Sequence, residues 1–119
     1  MLENAREKVR NYIITSIFDK VSKSPHSADL FSYIMENMET RIFINSLIVA
    51  NYREVDRSLK HLVFDAAKDQ DTKVRYNLAI NIAEVYDSLP RAIQDLMLEI
   101  GDNPKVIEVD KFSFHFCSL

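Results

Sequence analysis

A chain of 119 residues is one domain's length, enough to bury well over half of the surface its unfolded form exposes, which argues against a two-domain enzyme. With 47% hydrophobic and 28% charged residues it is too apolar for a disordered chain, and a single Gly with three Pro leaves few turn residues for all-β or phosphate-cradling α/β folds. Fifteen basic residues against 18 acidic ones give a net charge of −3, without the cationic surplus that general binding to a phosphate backbone needs.

Helices remain, and sparse breakers divide them. From residue 3 to 22, Val9, Ile13, Ile17 and Val21 recur every fourth position, and the SKSPHS stretch ends the helix. Ser27 reads as the N-cap of a second helix, 27–38, with Leu30, Phe31, Ile34, Met35 and Met38 as its face. The third, 41–53, is apolar around most of its circumference, which predicts neighbours on more than one side. Asp56 reads as the cap of a fourth helix, 56–68, faced by Leu59, Leu62, Val63 and Ala66. The fifth, 73–88, carries Val74, Leu78, Ile82, Val85 and Leu89 as a stripe and Asn77, Asn81, Glu84 and Ser88 as a polar edge. Pro90 stands where the start of a helix tolerates proline, so 91–100 forms a sixth, with Gly101 placed as its left-handed stop. Beyond Pro104, Ile107 and Val109, then Phe112, Phe114 and Phe116, alternate with polar residues, the period of an extended segment.

A repeat underlies this order. Arg10 is followed by Ile13, Ile17 and Val21, Arg41 by Ile44, Ile48 and Tyr52, and Arg75 by Leu78, Ile82 and Tyr86, at matching offsets. Each long helix is separated from the next by a shorter amphipathic one, the pattern of stacked helical hairpins.

The stretch Asp69-Gln70-Asp71-Thr72-Lys73-Val74-Arg75-Tyr76-Asn77-Leu78-Ala79 resembles the HEAT-repeat signature: an Asp in the turn between paired helices, then Val-Arg, then small or apolar residues. The resemblance covers residues 56–90 best. It implies an all-α, right-handed stack of helical hairpins, followed by the extended C-terminal tail that the alternation beyond Pro104 predicts. It also implies a ladder role for Asp69 and Arg75, which in that family hydrogen-bond to adjacent repeats. Asp102 stands 33 residues after Asp69, but Glu108 replaces the expected Arg, so the array is expected to stop there.

Reactive groups do not converge in the sequence. His26, His61 and His115 are far apart, and Cys117 has only His115 near it, so neither a zinc site nor an oriented nucleophile is expected. Asp65, Asp69 and Asp71 lack the Gly and Glu that a calcium loop requires. An enzyme assembled from scattered residues such as Tyr76, Asp71 and His61 is the weaker alternative. Lys8, Arg10, Lys73 and Arg75, with Arg41 and Arg53 between, could form a basic stripe for nucleic acid, but Glu3, Glu7, Glu84 and Asp87 share those helices.

The reading is therefore a non-enzymatic protein-binding module without cofactor or metal. Arg41, Asn45, Arg53, Asn77, Asn81 and Glu84 are the candidate partner-binding edge, and Leu2, Tyr12 and the aromatic tail are candidates for contact with another protein or a second copy. A compact helical inhibitor docking on a larger enzyme, or a nucleic-acid-associated repeat protein, are the alternatives. Cys117 alone cannot make an intrachain disulfide, the opening MLENAREKVR is unlike a secretory signal, and the apolar run 42–50 falls far short of the roughly 20 residues that span a bilayer, so a cytoplasmic setting is expected.

Overall fold

Three of the helices begin where a short polar side chain takes up first-turn N–H groups that have no helical partner. Asn37 accepts from the N–H groups of Glu39 and Thr40 at 2.8 and 3.2 Å, Asp56 from that of Ser58 at 2.9 Å, and Asp71 from that of Lys73 at 2.9 Å. The computed structural model describes residues 2–101, with side chains from residue 5 onward. Within them run α1 (Leu2–Val21), α2 (Ser27–Ser32), α3 (Met38–Ala50), α4 (Arg57–Ala66), α5 (Thr72–Glu84) and α6 (Arg91–Gly101), with one 3₁₀ turn over Tyr86–Ser88. The expected all-α fold is present.

Packing follows the apolar faces. α3 lies against α1, α4 and α5, as its apolar circumference predicts, while α5 also meets α4 and α6, and α2 meets α4. The three long helices thus form a row, α1–α3–α5. Phe31, Ile44, Ile48, Leu59, Val63, Ile82 and Ile93 are wholly enclosed, and Phe18 meets Phe31 with ring centroids 5.9 Å apart, joining α1 to α2. Enclosing each such side chain contributes about 1.5–3 kcal/mol.

Five polar links tie the chain to itself across 28 to 35 residues, one helix-pair period. They are Arg10 to Glu39, Ser22 to Asp56, Ser27 to Ser58, Arg41 to Asp69 and Arg53 to Ser88. Of the two ion pairs given by the described residues, the Arg41 link is the more enclosed. Its Nε donates to Asp69 Oδ2 at 2.9 Å, and its Nη1 donates to the carbonyls of Met35 at 3.0 Å and Glu36 at 2.8 Å.

Several expectations are corrected. The second helix ends at Ser32, not residue 38, because residues 33–36 form turns whose carbonyls serve Arg41. The third starts at Met38, since Asn37 caps it, and ends at Ala50. The fourth stops at Ala66, and the fifth gives way after Glu84 to the 3₁₀ turn. Ser27 is the first helical residue rather than a cap, its hydroxyl donating to the Ser24 carbonyl at 2.8 Å. Gly101 lies within α6, and no described glycine has positive φ. In α1 the enclosed residues are Ile14 and Phe18, whereas Val9 and Ile13 of the expected core stripe are exposed. The C-terminal tail and Asp102 lie outside the described residues.

Arg75 is 6% exposed, and its guanidinium donates to the Asp69 carbonyl and to Thr72 Oγ1. Arg75→Ala is expected to cost about 1–3 kcal/mol in chemical denaturation, because it removes a buried guanidinium and leaves two half-buried acceptors, the Asp69 carbonyl and Thr72 Oγ1, unpaired. Arg10→Ala, which breaks a pair facing water, is expected to stay within about 0.5 kcal/mol. Equal losses would contradict this ranking.

Asp56 gives the fold a pH dependence. The Ser58 hydroxyl and then the Ser58 N–H, both donating to its carboxylate, hold its pKa below the ordinary 3.8. A folded value below the unfolded one means that the stabilisation is complete above the unfolded pKa and is lost as pH falls through the folded one. The advantage of the native chain over Asp56→Asn, which keeps a capping oxygen, should therefore shrink to nothing in acid during thermal unfolding. A pH-independent difference would contradict it.

Candidate functional site

α1 carries two apolar sets offset by one position. Ile14 and Phe18 are enclosed, Ile14 also forming part of the groove floor, while Val9, Ile13 and Ile17 follow the adjacent stripe at successive turns, Ile17 half-buried against the core. Among the described residues no second long helix covers that stripe, and Val9 is 59% exposed and Ile13 51%. The stripe forms one wall of a groove of about 610 Å³, with Ile34 after α2 and Thr40 at the start of α3 on the other side. Arg6 and Arg10 also line it, Arg10 held to Glu39 at 3.4 Å while Arg6 is exposed. Tyr12, Leu30 and Tyr33 add further exposed apolar surface. Chemically, the groove can receive an apolar strip and attract an acid near Arg6.

A second hollow, of about 430 Å³, lies between α5 and α6, lined by Ala83, Tyr86, Gln94, Met97 and Leu98. Gln94 Nε2 spans its wall to the Tyr86 carbonyl at 2.8 Å.

The residues expected to bind a partner are dispersed in role. Asn45 is 2% exposed and donates its amide to the Arg41 carbonyl, so it belongs to the interior and not to a partner-facing edge. Arg41 is committed to Asp69 and the turn before α3. Arg53 is exposed, yet its Nε donates to the Ser88 carbonyl at 2.9 Å, tying the turn after α3 to the turn before α6. Asn77 and Asn81 are half-buried and Glu84 is exposed, with the Asn77 amide donating to the Lys73 carbonyl. The ladder residues Asp69 and Arg75 both make inter-element or turn contacts, but the residue reaching Asp69 from the preceding hairpin is Arg41. Tyr12 is exposed as expected, and the side chain of Leu2 lies outside the described ones.

Asp71 is occupied as the cap of α5, and His61 is exposed on α4. Among the described residues no group of three or more His, Cys, Asp or Glu is placed to hold a metal ion, and no helix is long and apolar enough to cross a membrane. His115 and Cys117 lie outside the described residues.

Sequence reasoning missed the groove because it took the Val9–Ile13–Ile17 stripe as core. The signal was present in Ile14 and Phe18, a second four-residue set that competes for the same interior. Comparison of the chain with protein-family models, with curated proteins and with solved structures finds no match.

The two stripes respond differently to substitution. Ile14→Ala should cost about 2–4 kcal/mol, as removal of an enclosed side chain leaves a cavity. Ile13→Lys should leave stability within about 0.5 kcal/mol and abolish fluorescence enhancement of an apolar dye. A strongly destabilised Ile13→Lys protein would place that residue in the core instead.

Proposed function

We propose that this chain is a non-enzymatic protein-interaction module, a short HEAT-like array that receives an apolar segment along α1. The carrying observation is the uncovered α1 groove, with Val9, Ile13 and Ile17 on successive turns and Arg6 near one end. An apolar stripe that no described element covers is a surface on which a partner's apolar segment can be buried. The preferred ligand is an apolar strip carrying an acidic residue at the Arg6 end, and its affinity comes chiefly from apolar surface removed from water. A cytoplasmic setting fits the single cysteine.

A photo-crosslinking amino acid at position 13 of the full chain tests this in cells. One defined protein should be captured there, and not from the same group at exposed His61 on α4. Equal capture at both positions, or none at position 13, would contradict the reading.

A further inference from the structure

The α1 groove has a counterpart on α6. There Ile93, Leu96 and Ile100 are enclosed, which turns Arg91, Asp95 and Leu98 outward. At 69% exposure Leu98 is the most exposed large aliphatic side chain among the described residues, and it stands beside the hollow between α5 and α6. Two exposed acids flank it, Asp95 three residues before and Glu99 one residue after. In the groove, Val9 has Arg6 and Arg10 at those same two offsets. An aliphatic side chain between two acids on α6 therefore matches an aliphatic side chain between two arginines on α1.

Residues four apart lie on one flank of a helix, about 6 Å from each other along its axis. Two helices laid antiparallel bring like flanks together, so Arg6 meets Glu99 and Arg10 meets Asp95, with Val9 and Leu98 between them. Glu39 holds Arg10 at 3.4 Å in a pair that faces water, and the groove's rim keeps a net positive charge for the two acids. Arg91, two turns before Leu98, then falls beside the uncharged Ser16. Within one chain the two faces do not cover each other. α1 packs on α3 and α6 on α5, with α3 against α5 between them, and Val9 and Leu98 both stay exposed. Each copy thus offers one socket and one knob on different helices. A contact between unlike faces does not close within a pair and adds copies end to end.

We propose that the α1 groove of one copy receives the outward face of α6 of another, so that the chain assembles head to tail. The inference rests on the groove being the binding surface of the proposed function and names a second copy as its partner. A chain that stays monomeric while position 13 captures a different protein would overturn it and leave that reading standing.

Analytical ultracentrifugation of the full chain provides the test. The average mass should rise with concentration between the micromolar and millimolar ranges and pass beyond the dimer. Ile13→Lys blocks the groove and Leu98→Lys blocks the α6 face, and each variant alone should stay monomeric. Mixed in equal amounts, the two should form a dimer that grows no further, because the intact groove of one receives the intact α6 face of the other. Both positions are exposed, so both variants keep the fold. Arg6→Glu should weaken association about tenfold or more, and mixing that variant with Glu99→Lys should recover it. A monomer at every concentration, mixtures that do not pair, or a closed dimer indifferent to Leu98→Lys would each overturn the proposal.

Discussion

The start of α3 and the turn before α5 are joined by one largely enclosed guanidinium. Arg41 reaches from the first turn of α3 to Asp69 in the turn before α5, and with the same group it satisfies the carbonyls of Met35 and Glu36. The Arg41 and Asp69 side chains are only 24% and 14% exposed, so each charge has lost most of its water and depends on the other. Asp69 also accepts from the Asp71 N–H at 2.8 Å, which fixes the turn leading into the α5 cap. Through this one residue pair, the ends of two helices and the turns before them are set relative to each other.

Around that pair, polar contacts recur at one helix-pair period while apolar contacts fill the space between them. The Ser22 carbonyl accepts from the Asp56 N–H at 2.7 Å, so the end of α1 positions the start of α4. Arg10 to Glu39 ties α1 to the start of α3, and Arg41 to Asp69 ties α3 to the turn before α5. Among the described residues no further helix lies against Val9 and Ile13, and their stripe forms one wall of the groove.

Much of this was legible in the sequence. Apolar spacing located the six α-helices of the described residues, Asp56 was identified as a cap, and the apolar circumference of 41–53 placed α3 at the centre. Boundaries slipped where a tertiary contact intervened: Arg41 takes the carbonyls of residues that propensity would have kept in the second helix. Asn45 was assigned to the surface because polar residues favour water, but within α3 its amide finds the Arg41 carbonyl and it lies enclosed. For α1, two stripes of equal period competed, and which one faces inward depends on the position of α3, information that no local pattern holds. The role of Arg41 was recoverable from its equivalence to Arg10 and Arg75.

The most direct measurement is a double-mutant cycle on Arg41 and Asp69, using Arg41→Met, Asp69→Asn and the double variant in equilibrium denaturation. If their contact aligns α3 with α5, the two losses will be coupled by about 1–3 kcal/mol. Losses that simply add would show that the two residues act independently and that the alignment of the long helices has another origin.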